Sequence, residues 1–183
     1  MLVRTVPLLE RGFGLFDGLG CVEECQIYSS VLYLGSHEND VLLRDETGRI
    51  LLVDPKYKPD WDLPGGMAEA NEPPAQAAQR ELREELGLDL RPGRLLCVDW
   101  VSPHGPWDDL IAFIFDGGQL GTDAISSLHL PGDELGAYEL CDHSQAEQRL
   151  RPYVWRRVAA ALEALPTGQA AYLHDGHAWP PPV

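Results

Sequence analysis

Three carboxylates crowded onto one expected helix are the residues of this sequence best placed to do chemistry. Glu81, Glu84 and Glu85 lie in the run Arg80-Glu81-Leu82-Arg83-Glu84-Glu85-Leu86-Gly87-Leu88. At about 100° per residue, Glu84 falls about −60° and Glu85 about +40° from Glu81, so all three share a narrow arc. Ala75, Ala78, Leu82 and Leu86 point to a different side and form the face expected to pack into a core. Like charges this close repel, and folding does not require them. A divalent cation would relieve the repulsion, because Mg²⁺ prefers hard oxygen ligands. The plain alternative is a solvated acidic face with Arg80 and Arg83 as i, i+3 and i, i+4 partners.

The flanking residues define the element that must hold these acids. Leu63-Pro64-Gly65-Gly66 is a glycine turn ahead of the helix, and Pro73-Pro74 suits a first helical turn. Asn71 or Glu72 could cap the free N–H groups there. Gly87 suits the left-handed residue that ends the helix.

The 183 residues suit one domain with an extension, and the 44% hydrophobic content suits a globular α/β or α+β protein. A formal net charge of −15 argues against a nucleic-acid-binding surface, which needs basic stripes. Residues 1–20 lack the pattern of a signal peptide or membrane span, which makes a cytoplasmic location the default expectation. Cys21, Cys25, Cys97 and Cys141 form no disulfide framework, and Cys21-x3-Cys25 has no second pair at zinc spacing.

In chain order, residues 1–36 read as an N-terminal extension with a strand at Gln26–Leu34, and residues 37–183 as the main domain. Asp40–Arg44 and Arg49–Asp54 read as a hairpin, with Arg94–Val101 and Leu110–Phe115 as buried strands. Gln119–Leu130 is strand or loop of undefined extent. A short strand is expected at Ala137–Leu140, a short helix at Ser144–Leu150 capped by Asp142 or Ser144, and an amphipathic helix at Pro152–Leu165. Ala171–Leu173 could add a strand before a tail that includes His174-Asp175-Gly176-His177.

Gly66, five residues, Glu72, seven residues, then Arg80-Glu81-Leu82-x-Glu84-Glu85-x-Gly87-Leu88 resembles the Nudix box at every fixed position. The resemblance implies an α/β fold, an α/β/α sandwich with a mixed sheet and a catalytic loop–helix–loop. It implies a metal-dependent hydrolase, using Mg²⁺ or Mn²⁺, that cleaves the diphosphate of a nucleotide or of a nucleoside diphosphate linked to another moiety. By position in the motif, Glu84 and Glu85 are the main metal ligands it implies, with Glu81 a further ligand or the base. The Gly65 carbonyl is an additional ligand, and Gly66, Glu72 and Arg80 support the site. The expected partner is a small-molecule diphosphate, without nucleic acid or membrane, and a homodimer stays open. Two other readings fit an intact box less directly. One is hydrolysis of an isoprenoid or sugar diphosphate, and the other is a catalytically silent nucleotide sensor.

Outside the box, Glu134, Asp133 and Glu139 are candidates for an acid from a later loop. Tyr57, Trp61 and Trp107 are candidates to stack on a base, and Arg44, Lys56 and Lys58 to meet phosphate oxygens. His104, in a loop rich in breakers, is a weaker candidate for substrate contact. Signatures of coenzyme A pyrophosphatases, dinucleoside polyphosphate hydrolases and nicotinamide dinucleotide hydrolases are not matched. Pro103 and Pro106 bracket, without matching, the proline position that ADP-ribose pyrophosphatases share.

Overall fold

Alternation along two strands sets up the architecture. In β1 (His37–Asp45) Val41 and Leu43 face one side of the sheet and Leu42 the other. In β2 (Ile50–Pro55) Leu51 and Val53 oppose Ile50 and Leu52 in the same way. A strand buried on both faces needs cover on both, and helices supply it. The computed structural model describes residues 37–104 and 108–181. The extension 1–36, with its expected strand, and Trp107, Cys21 and Cys25 lie outside the described residues.

The remaining elements are β3 (Gly65–Met67), α1 (Pro74–Leu86), β4 (Leu95–Val101), β5 (Leu110–Leu120), α2 (Thr122–Ser127), β6 (Leu135–Cys141), α3 (His143–Arg149), α4 (Pro152–Ala164), β7 (Ala171–His174) and β8 (His177–Ala178). They form a mixed eight-stranded sheet in the order β6-β2-β1-β5-β4-β7-β8, with β3 paired to β1. β1 runs parallel to β5 and antiparallel to β2 and β3. One face packs Leu42, Ile50, Leu52 and Ile114 against Val154, Val158 and Ala161 of α4. The other packs Val41, Leu43, Leu51 and Val53 against Ala78, Leu82 and Leu86 of α1. The result is the expected α/β/α sandwich. Among the described residues no helix is long and apolar enough to cross a membrane.

Local chemistry sets most element ends. Gly87 ends α1 at φ 64, the left-handed conformation in which a side chain is strained. Its N–H donates to the Arg83 carbonyl. Asp142 caps α3 in a reciprocal capping box with Gln145.

Several details differ from the expectation. Pro73 is the N-cap of α1 and no side chain caps it, because the Glu72 carboxylate is taken by Arg80 and the Glu69 N–H. Ala77 is buried on α1 and Ala75 is exposed. β1 begins at His37, since its polar start, Glu38 to Asp40, is held by pairing with both β3 and β5. Gln119–Leu130 divides into the end of β5 and the helix α2. The stretch expected as a tail is a hairpin instead, where the Gly176 N–H donates to the buried Asp99 carboxylate at 3.0 Å.

Candidate active site

The acidic face of α1 is held by the glycine turn in front of it. β3 pairs with β1 in a register that sets Gly66 against Asn39 and Gly65 against Asp40. The Asn39 side-chain amide donates to the Gly66 carbonyl at 3.1 Å, and the Val41 N–H to the Pro64 carbonyl at 2.9 Å. The turn therefore hangs from the central strand. On its other side the Gly65 N–H donates to Glu85 Oε2 at 2.9 Å. A Cβ on Gly66 would come within 2.8 Å of the Glu81 carboxyl carbon, so a larger residue would push that carboxylate out of place.

Arg80 and Glu72 brace the other end of the loop. Arg80 Nε and Nη2 donate to the two Glu72 oxygens at 3.0 and 2.9 Å, and Nη2 also reaches the Met67 carbonyl at 3.1 Å. Such a two-point clamp fixes orientation as well as distance. These hydrogen bonds from Arg80 hold the Glu72 carboxyl below the usual range. Arg80 Nη1 further donates to Glu81 Oε1 at 2.8 Å and to Glu84 Oε2 at 3.0 Å.

The trio is not electrostatically settled. Burial pushes the Glu85 carboxyl up to about 8, and Glu81, Asp62 and Glu134 add like charge. Burial also raises Glu81, despite Arg80 beside it. Glu84 is the most exposed of the three, with 58% of its side chain open to solvent. Among the described residues no three acidic, histidine or cysteine groups stand at metal-holding spacing. Arg80 lies between Glu81 and Glu84, and Glu85 is turned onto the Gly65 N–H. By chemistry the set still fits a hard divalent cation, since its donors are oxygens and Glu85 lacks a cation of its own.

Two cavities flank Glu85 and Glu134. One, of about 330 Å³, is lined by Glu84, Glu85, Gly132, Asp133 and Glu134. The other, of about 170 Å³, reaches from Glu81, Glu85, Gly65 and Gly66 to Tyr57, Lys58 and Asp62, with Glu38 and Asp40 of β1. Of the expected later acids, Glu134 and Asp133 reach these cavities. Glu139 does not, being paired with Arg149.

Tyr57, 75% exposed, lines the smaller cavity, as does Lys58, which is paired with Asp62. Arg44 lines neither cavity. It sits far along β1 and is paired with Asp116 at 2.7 Å. Trp61 lines neither cavity; it is partly buried against the core, with the Arg149 guanidinium 4.5 Å from its ring centre. Lys56 and His104 also lie outside both cavities.

Residue spacing did not single out Glu38, Asp40, Asp62 or Arg157. Arg157 is 1% exposed and donates to Asp99 Oδ2 at 3.1 Å and to Glu38 Oε2 at 3.2 Å. The Asp40 carboxyl is raised well above its usual range by burial and by Glu38 and Asp62. One signal was available. Glu38, Asp40 and Leu42 alternate onto one face of β1, and Arg157 falls on the apolar stripe of α4 between Val154 and Val158.

The sheet, the glycine turn and the braced acidic helix form one connected scaffold, and comparison with known proteins identifies its family. The family model described as NUDIX domain matches residues 39–163, and the chain belongs to that family. It is 46% identical over 96 residues to a Bacillus subtilis (strain 168) protein named "Putative ADP-ribose pyrophosphatase YjhB", covering 48% of this chain and 46% of that one. It is 35% identical over 104 residues to the Danio rerio protein named 8-oxo-dGDP phosphatase NUDT18, covering 55% of this chain and 28% of that one. This chain thus spans less than half the length of these curated relatives. In fold it resembles a MutT protein from Methanosarcina mazei Go1, with a TM-score of 0.59 at 23% identity over 73% of this chain and 95% of that one.

Proposed function

We propose that this chain is a divalent-cation-dependent hydrolase of a diphosphate linkage, acting on a nucleotide or on a nucleoside diphosphate joined to another moiety. Residues 37–183 are its catalytic unit in this reading. The observation that carries it is the box trio, hung on the glycine turn and clamped by Arg80 and Glu72, facing cavities that Glu134 also enters. The nucleotide part of the reading is supported by the names of the relatives, an ADP-ribose pyrophosphatase and an 8-oxo-dGDP phosphatase.

Glu84 and Glu85 would hold the cation, Mg²⁺ or Mn²⁺, with Glu81 and the Gly65 carbonyl as further donors. When bound, the cation neutralises phosphoryl oxygens and makes water more acidic. The chain's own residues supply the rest. Glu81 orients the attacking water or accepts its proton, a role suited to a carboxyl that burial makes more basic than usual. Arg80 and Glu72 keep the loop and helix in register so that the donors stay in place. Glu134 adds a carboxylate from the opposite side.

The test is a release assay over nucleotides, nucleotide sugars and prenyl diphosphates, run with Mg²⁺ and again with EDTA. Cleavage of at least one nucleotide substrate with Mg²⁺, abolished by EDTA and by Glu84→Gln in a folded variant, is expected. Full activity in Glu84→Gln would sink the assignment. Cleavage of prenyl diphosphates alone would move the substrate class, and no cleavage at all would favour a sensor.

A further inference from the structure

A row of charge crosses the sheet at the level of the glycine turn. The register sets Met67 of β3 against Glu38 of β1, Glu38 against Ala112 of β5, and Ala112 against Asp99 of β4. Residues opposite one another on neighbouring strands share a face, so Glu38 and Asp99 flank the small, fully buried Ala112. Arg157 of α4 spans the two acids. Its Nε donates to Asp99 Oδ2 at 3.1 Å and its Nη1 to Glu38 Oε2 at 3.2 Å. Asp99 is held from the other side by the Gly176 N–H of the β7–β8 turn, at 3.0 and 3.1 Å from its two oxygens. A planar guanidinium held at two points fixes direction as well as distance.

Stability alone does not call for such a row, since apolar side chains of similar size in place of a buried ion pair are often neutral or stabilising. What the fork adds is a fixed spacing between β4 and the start of β1, across the intervening β5. The start of β1 is the part that carries the glycine turn, with Glu38, Asn39 and Asp40 paired to Met67, Gly66 and Gly65. Strand and turn are pressed together there, for a Cβ on Gly65 would come within 2.3 Å of the Asn39 carbonyl oxygen. A shift of the strand therefore carries the turn with it. The turn in its place orients Glu85 through the Gly65 N–H.

We propose that Arg157 is a positioning residue for the box acids. By tying Glu38 to Asp99 and the β7–β8 turn, it sets where β1 begins, and through β1 the glycine turn and the cation donors Gly65 and Glu85. Arg157 lines neither cavity and acts only through Glu38. The assignment rests on reading α1 as the cation-holding, diphosphate-cleaving element, but cation binding can be read apart from cleavage.

The experiment is a Mn²⁺ titration of the full chain followed by water-proton relaxation, with kcat and KM measured on a diphosphate that wild type cleaves. Arg157→Lys keeps the charge but offers one ammonium where the fork reaches two carboxylates. It should weaken Mn²⁺ binding by about 10–100-fold, the scale seen when a group that orients a metal ligand is lost. Any loss of turnover left at saturating Mn²⁺ should fall on kcat rather than KM. Val158→Ala, which opens the same core one residue along α4, should leave Mn²⁺ affinity within about twofold. Glu38→Ala, at a partly exposed position, carries the test even where Arg157→Lys does not fold, as a thermal melt would show. It should weaken Mn²⁺ binding as Arg157→Lys does, and combining the two should add nothing further. Unchanged affinity in Arg157→Lys or in Glu38→Ala, an equal loss in Val158→Ala, or losses that multiply in the double variant would overturn the proposal and leave Arg157 a brace of the core. The expected binding pattern in a chain that cleaves no diphosphate would uphold the positioning role and reject only the hydrolase reading. A wild type that binds no Mn²⁺ would overturn both.

Discussion

The smaller cavity has two acidic walls built in opposite ways. On the α1 wall, Glu81 and Glu85 come from the helical stretch that also carries Glu84, Arg80 bonds Glu81 and Glu84 but not Glu85, and burial raises the Glu85 carboxyl to about 8. On the strand wall, Glu38 and Asp40 come from β1 and Asp62 from a loop, with Lys58 and Arg157 already beside them. The first wall has one arginine for three carboxylates and none on Glu85. The second already has cations against its acids, Lys58 on Asp62 and Arg157 on Glu38 and Asp99. The contrast separates two settings for similar side chains, a carboxylate set short of cations and one already charge-paired. It also separates two ways to disturb the molecule.

The largest expected effect is on the helix wall. Glu85→Gln should lower turnover by roughly 10³-fold at saturating Mg²⁺ with an unchanged circular dichroism spectrum, since a misplaced cation and a misoriented water fail together. Retained activity would mean that the wall holds no functional cation.

The strand wall should instead break through stability. Arg157→Leu leaves Asp99 and Asp40 buried without their cation, and should cost about 3–5 kcal/mol in urea unfolding. A loss below about 1 kcal/mol, the scale of an exposed pair, would show that water reaches that network freely.

The walls should also differ in pH response. Burial holds the Glu85 carboxyl at about 8, above the roughly 4.3 of an unfolded chain. Between these values the folded chain keeps a proton that the unfolded chain has lost. This group therefore makes metal-free stability fall as pH rises from about 4.5 to 8, by up to about 5 kcal/mol. Relative to wild type, Glu85→Gln should lack that decline. Parallel stability profiles would contradict the burial argument.

Smaller effects sharpen the contrast. Asp40→Leu should keep or raise stability, as read by urea unfolding, because it removes a buried carboxyl that burial already disfavours as an anion. Arg44→Gln should change kcat/KM by less than about twofold, since Arg44 is committed to Asp116 away from both cavities. A larger kinetic change would return Arg44 to the site.

The same contrast explains what the sequence made legible. The helix wall is local. Glu81, Glu84 and Glu85 converge through helix geometry alone, and Gly66, Glu72 and Arg80 sit at fixed distances along the same stretch. Alternation and capping likewise announced most of the sheet, α3 and α4. The strand wall depends on pairing. Glu38 and Asp40 reach the cavity because β1 lies between β2 and β5 and carries β3, and Asp62 because its loop bridges back to Val53. Trp61 and Arg44 depend on tertiary structure in the same way. Side-chain type points to substrate contact, whereas the fold sets them against Arg149 and Asp116. An arginine on the buried stripe of α4 was the clue that a charged network lay beneath.

The most direct test of the two-wall account is a Mn²⁺ titration followed by water-proton relaxation on wild type, Glu85→Gln and Asp40→Leu. The account predicts a saturable bound Mn²⁺ in wild type and in Asp40→Leu, with binding weakened by an order of magnitude or more in Glu85→Gln. Binding that survives Glu85→Gln and disappears with Asp40→Leu would put the cation on the strand wall and contradict it.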